Sequence, residues 1–217
     1  MNKQASTAMW TAAAVTAALL LGACGGGDGD SKDEIKGADD AKPSKTAAPR
    51  KSSAPSGPKD SEIKLAKDAK NVFEDAETGD PKKDAVLADN RRRINSIDRV
   101  ITTGKDVDLV KRYAKGDSLL AADKYILEAV NEKQSWVGVT RYYDQKVELV
   151  SDAVAQVSFC IDESKAKNKD LKTGKVEPNN GGDLNYIFTR LRVERNKDGV
   201  WQATSGTETA KAEKCME

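Results

Sequence analysis

Apolar positions change their spacing along the 217 residues, and each change marks a different kind of chain. Ala12 to Leu21 is apolar except for Thr16. From Gly25 to about Lys59 the residues are mainly Gly, Ser, Ala, Pro, Lys and Asp, and Ile35 is the one large apolar side chain. From Asp60 onward apolar residues recur periodically. Leu65, Ala69, Val72, Phe73 and Ala76 stand three and four apart, which predicts a helix ended by Gly79. Asp80-Pro81 reads as an N-cap with proline at the first helical position. The helix it opens carries Val86 or Leu87, Ile94, Ile97 and Ile101 on one face and ends near Gly104. Two shorter helices follow. One runs through Val107, Leu109, Val110 and Tyr113 to Gly116, the other through Leu119, Leu120, Ala122, Tyr125, Ile126 and Val130. Tyr113 and Tyr125 are expected to be core side chains with a polar tip.

After Trp136 the period becomes two. Val137, Val139 and Arg141 alternate with Thr140 and Tyr142, and Val147-Glu148-Leu149 resumes the strand before a turn at Ser151-Asp152. Ala155, Val157, Phe159 and Ile161 share one face of the next strand, opposite Gln156, Ser158 and Cys160. The polar, lysine-rich span from Asp162 to Asp183 is expected to be a long excursion. Ile187, Thr189, Leu191 and Val193 line a further strand, Asp198-Gly199 is a hairpin signal, and Val200 to Ala203 forms a final strand. Helices followed by an antiparallel meander predict an α+β domain, with N-terminal helices packed on a curved antiparallel sheet. Residues 60–217 form this one domain of roughly 155 residues, large enough for a single core.

Composition removes several functions. The 36 basic and 35 acidic residues leave a net charge of +1, which gives no electrostatic reason for a nucleic-acid partner. Histidine is absent, and with it the commonest general base and neutral metal ligand. Arg91-Arg92-Arg93 spreads around a helix rather than forming a patch. Asp28-Gly29-Asp30 is not read as a calcium loop, because Lys32 falls at a ligand position and no closing glutamate follows. No metal and no cofactor are expected.

The N-terminus has Lys3, the apolar run to Leu19-Leu20-Leu21, and then Gly22-Ala23-Cys24-Gly25. It resembles the lipobox of bacterial lipoproteins. The resemblance implies a signal peptide over 1–23 cleaved between Ala23 and Cys24, and diacylglyceryl lipid on the Cys24 thiol. The apolar run is too short to be a comfortable transmembrane helix. Residues 24–59, with Pro43, Pro49, Pro55 and Pro58, then form a disordered tether. If lipid occupies Cys24, then Cys160 and Cys215 form an even pair, as an oxidising compartment permits. The alternative is a buried free thiol at Cys160 and an exposed one at Cys215.

The order Leu109-Val110-Lys111-Arg112-Tyr113-Ala114-Lys115-Gly116, Gly138, Val157-Ser158-Phe159-Cys160-Ile161-Asp162, Thr173-Gly174-Lys175, Asp198-Gly199-Val200-Trp201 and Cys215 resembles the NTF2-like, or cystatin-like, cone. More narrowly it is similar to uncharacterised actinobacterial lipoproteins with that fold. The resemblance implies a cone between sheet and helices and no particular reaction. Trp136, Tyr142, Phe159, Ile187 and Trp201 are the candidate pocket side chains; the plainer alternative is that they are ordinary core. Three functions are expected in turn. The first is a non-enzymatic domain binding a small molecule or envelope partner, tethered to membrane lipid at the extracytoplasmic face through Cys24. The second is an isomerase or dehydratase like others of the superfamily. The third is a structural envelope protein whose contact surface is Lys165 to Lys175. Asp123, Asp144 and Asp162 are the acids considered for a base, and their turns and polar surroundings indicate no buried one.

Overall fold

The computed structural model describes residues 62–216. Cys24, the cleavage site and the tether lie outside the described residues. Among these, no helix is long and apolar enough to cross a membrane.

Strand β1 (Ala69–Phe73) comes first, where the spacing predicts a helix. It pairs in parallel with β2 (Gln134–Leu149), from Ala69 opposite Gly138 to Phe73 opposite Tyr142. The helical spacing of Leu65, Ala69, Val72 and Phe73 is local, whereas this strand is held by a partner some seventy residues on. Helix α1 (Pro81–Thr103) begins where expected, with the Asp80 carboxylate accepting from the Lys82 N–H at 2.8 Å and the Lys83 N–H at 3.3 Å. It ends at Gly104, whose left-handed backbone (φ 68°) lets its N–H reach the Val100 carbonyl at 2.7 Å. A 3-10 turn (Val107–Leu109), α2 (Val110–Tyr113) and α3 (Gly116–Glu132) follow. Tyr113 is buried as expected, but Tyr125 is 51% exposed.

β3 (Val154–Asp170) does not stop at Ile161. The expected excursion is its continuation, closed by the short β4 (Val176–Glu177) and a 3-10 turn (Gly182–Asn185). Its polar residues pair with β2, Lys165 opposite Val139 and Lys169 opposite Ser135, so backbone hydrogen bonds hold a segment with little apolar surface. β5 (Tyr186–Arg195) and β6 (Trp201–Ala210) complete the sheet, and β6 runs seven residues past the expected end at Ala203. The strand order is β1-β2-β3-β5-β6, with β4 on β3, and every pair except β1 with β2 is antiparallel. At Gly138, with φ 100°, an added Cβ would stand 2.2 Å from the Lys165 carbonyl oxygen, so only glycine lets β2 and β3 approach there.

The helices cover one face of the curved sheet. Val86, Leu87 and Ile94 of α1 meet Tyr142, Val157, Phe159, Leu191, Val193 and Trp201 in the main core. Full burial of such aliphatic and aromatic side chains contributes about 1.5–3 kcal/mol each. Asp89 ties helix to sheet: one carboxylate oxygen accepts the Trp201 N–H at 2.9 Å and the other accepts from Arg92 Nη1 at 2.7 Å. On the opposite face a 3-10 turn (Glu213–Cys215) folds back, and Cys215 forms a disulfide with Cys160, Cα–Cα 5.5 Å. The alternative of two free thiols is set aside. This is an α+β domain, helices packed on one face of a curved, mainly antiparallel sheet.

Candidate functional site inside the cone

The buried stripe of α1 is not wholly apolar. Asp98 stands four residues after Ile94 and three before Ile101, so it points into the fold with them and is buried. Asn71 Nδ2 of β1 donates to Asp98 Oδ2 at 2.7 Å and also to Asn95 Oδ1 at 2.9 Å. The Trp136 side chain hydrogen-bonds the same Asp98 carboxyl. Burial outweighs these donors and raises the Asp98 pKa to about 6.

Glu163 continues the inward face of β3 set by Ala155, Val157, Phe159 and Ile161. Burial, then the charges of Asp98, Glu208 and Asp162, raise its pKa to about 7. Glu208 of β6 stands opposite Thr189 of β5, which in turn stands opposite Phe159 of β3, so the three share a face. The Thr189 side chain is fully buried, and its hydroxyl has no hydrogen-bond partner. Arg93 brings a guanidinium into this company. Burial lowers its pKa, while Glu208, Tyr142 and Asp98 act to raise it. Tyr142 is buried; burial, then the charges of Asp98 and Glu163, push its phenol up, so it is a neutral hydroxyl, whereas Tyr125 is half exposed.

The pocket expected from sequence divides into two parts. Phe159, Tyr142 and Trp201 belong to the main core, with Tyr142 stacked on Phe73 at 4.8 Å and tilted against Phe159 at 6.1 Å. Trp136 and Ile187 are only partly buried, and Trp136 reaches the acid cluster through Asp98. Asp98, Glu163, Glu208, Arg93 and Thr189 were not among the expected site residues. The reading that no buried carboxylate has a raised pKa is overturned by Asp98. Of the three acids that were considered, Asp162 is buried on the outer side of β3. There burial is outweighed by Ser164 and by Arg141, whose Nη1 donates to it at 3.1 Å, and its pKa is lowered. Asp144 sits in a positive-φ bulge and pairs with Lys146 at 2.9 Å. Among the described residues no three acids converge as ligands for a metal ion. Two surface depressions lie elsewhere, one of about 420 Å³ at the β5–β6 hairpin around Asn196 and one of about 90 Å³ on the outer sheet face around Arg190.

No family model and no curated protein matches the sequence. Solved structures do resemble it. The intermembrane space region of the chloroplast protein ARC6 is 13% identical over 62% of this chain and 98% of its own, with a TM-score of 0.42. A ketosteroid isomerase-like protein from Erwinia carotovora atroseptica is 14% identical over 60% and 97%, TM-score 0.43. An NTF2-like protein of unknown function from Shewanella oneidensis is 15% identical over 55% and 95%, TM-score 0.33. The likeness is one of chain arrangement and carries no chemistry to these residues.

Proposed function

We propose that this protein is a lipoprotein anchored through Cys24 at the extracytoplasmic face of the cell membrane, and that its cone binds a small molecule without transforming it. The observation that carries the binding reading is the Thr189 hydroxyl, fully buried and unpartnered on the inner face beside Glu208. A buried polar group without a partner costs about 1–3 kcal/mol, a cost that a ligand donor or acceptor removes. Trp201 in the main core and Trp136 beside Val100 and Ile101 both lie in this domain, and their emission reports on it. Full-length protein in mild detergent, titrated with a panel of small cations, anions and neutral compounds, is expected to change its tryptophan emission with at least one. No response to any member would end the binding reading. For the anchor, Cys24→Ala is expected to lose both acylation and membrane retention; a variant still lipidated and membrane-bound would refute it.

An enzymatic reading has one observation in its favour. A carboxyl with a pKa near 6 has the proton affinity of a general base at neutral pH. The partners of Asp98, however, are Asn71 and Trp136 rather than a tyrosine. The isomerase-like arrangement needs a tyrosine within hydrogen-bond reach of the base, so binding is the better supported function. If the panel's binder is chemically changed by wild-type protein and not by Asp98→Asn, the enzymatic reading replaces it.

A further inference from the structure

We infer that the outer sheet face formed by β1, β2 and the far half of β3 docks on an anionic lipid bilayer, with Lys70, Lys165 and Lys167 against the phosphate headgroups. This rests on the proposed lipid anchor and names the surface that the anchored domain turns to the membrane. Register gathers the residues on one face. Lys70 of β1 stands opposite Val139 of β2, Val139 stands opposite Lys165 of β3, and Val137 stands opposite Lys167. Their neighbours in the strands point the other way, to the helices. Asn71 and Phe73 of β1 reach Asp98 and Tyr142, and Trp136 of β2 packs beside Val100 and Ile101. Between Val139 and Arg141 the register shifts, so that two residues of β3, Glu163 and Ser164, stand against Thr140 alone. That bulge turns the lysines of β3 outward, although Ile161 before them faces the core.

The three lysines are exposed, and among the described residues no carboxylate pairs with them. The acids of this face are engaged elsewhere: Asp68 holds Lys169 at 2.8 Å, and Glu74 and Asp162 hold Arg141 at 3.0 and 3.1 Å. Away from this face, Lys111 and Lys146 each hold an acid at 2.9 Å and Lys115 holds one at 3.1 Å. Along β3 the backbones of Lys165 and Lys167 are about 7 Å apart, and Lys70 lies about 9–10 Å from Lys165 across β2. These spacings are within a Debye length, about 10 Å at 0.1 M salt, so the ammonium groups repel one another. An anionic surface relieves that repulsion. Val137 and Val139, partly buried, give the lysine stems an apolar floor. The depressions at the β5–β6 hairpin and around Arg190 lie elsewhere, and an open sheet face suits a planar array of headgroups better than one enclosed anion.

Chain order favours the same face. Residues 24–61 join Cys24, the proposed anchor, to the described domain, and the chain then runs into β1, which carries Lys70. Near an anionic surface each lysine contributes about five-fold in affinity, too little for three of them to recruit a free domain. Anchoring makes docking an intramolecular step at high effective concentration. The face therefore orients an anchored domain.

The test is amine acylation of the full-length lipidated protein on the outside of preformed vesicles, of phosphatidylcholine alone or with one third phosphatidylglycerol. Mass spectrometry reads each lysine, and flotation reports the anchor separately. The protein is expected to float with both vesicles. Acylation of Lys70, Lys165 and Lys167 is expected to slow by about 5-fold or more relative to exposed Lys105 and Lys197. The slowing should occur on the anionic vesicles only and vanish at about 1 M salt. In the double variant Lys165→Glu, Lys167→Glu, whose fold is checked by far-ultraviolet circular dichroism, Lys70 should lose its protection. Floating protein with no selective slowing, equal slowing on both vesicles, or Lys70 protection that survives in the folded variant would overturn this inference and leave the anchor standing. Failure to float with either vesicle would overturn the anchor, and this inference with it.

Discussion

Asp98 and Glu163 hold protons that the unfolded chain gives up. Their folded pKa values, about 6 and about 7, stand above the ordinary 3.8 and 4.5. Between about pH 4 and pH 7 the native state therefore binds more protons than the unfolded one, and their contribution to stability falls as pH rises through that window. Carboxylates such as Glu74 and Asp84, lowered by Arg141 and by the Thr78 N–H respectively, act in the opposite sense, losing stability only as pH falls below their ordinary values. The melting temperature is expected to rise from pH 7.5 to about pH 5 and to drop below pH 4. In Asp98→Asn the rise should shrink, which scanning calorimetry across that range would detect; an unchanged pH profile would contradict the assignment. Thr189→Val should raise the stability of the free protein by about 1 kcal/mol, since it removes the orphan hydroxyl while nearly keeping the volume. A loss of that size in chemical denaturation would mean that the hydroxyl has a partner. The sequence contained the signal for Asp98, because a charged residue at the spacing of Ile94 and Ile101 shares their buried stripe. Its partner Asn71 was hidden, because it lies on a segment whose spacing suggests a helix.

At the level of elements, legibility followed how local each signal is. The caps of α1 are written within a few residues of its ends, Asp80-Pro81 and Gly104, and were read correctly. So was the Asp198-Gly199 turn, where Gly199 takes φ 82°. β1 and the far half of β3 were misread because their support comes from β2, and pairing across such separations leaves no local trace. Glu163 had a weak signal: it keeps the odd-numbered face of Ala155 to Ile161, so the strand's alternation extended beyond its apolar residues. β1 is also where the site is most vulnerable. Asn71→Ala removes the 2.7 Å donor to Asp98 and is expected to destabilise by about 1–3 kcal/mol at pH 7.5. The penalty should be smaller at pH 5, where Asp98 is protonated, and urea melts at the two pH values would compare them. Gly138→Val should be more damaging at either pH, because its side chain would meet the Lys165 backbone.

At the scale of the molecule, two faces of one sheet have different tasks. The inner face holds the helices and the acid cluster; the outer face is covered near its centre by the returning C-terminal turn. There Tyr143 donates from its hydroxyl to the Cys215 carbonyl, and Lys214 sits over the Phe188 ring. The disulfide spans 55 residues, for which the chain-entropy relation gives about 4 kcal/mol. The double variant Cys160→Ala, Cys215→Ala is expected to lose about that much in guanidinium melts while retaining its cone ligand, since the bond lies on the opposite face from Thr189. Retained stability would mean that the returning turn holds without its covalent link.

That link also governs what proteolysis can take apart. β4, β5 and β6 lie inside one covalent ring between Cys160 and Cys215, together with the exposed lysines Lys172 and Lys197. A tryptic nick at either lysine leaves both pieces joined, and they separate on a gel only after reduction. A nick at exposed Lys105, outside the ring, releases its N-terminal piece on denaturation with or without a reductant.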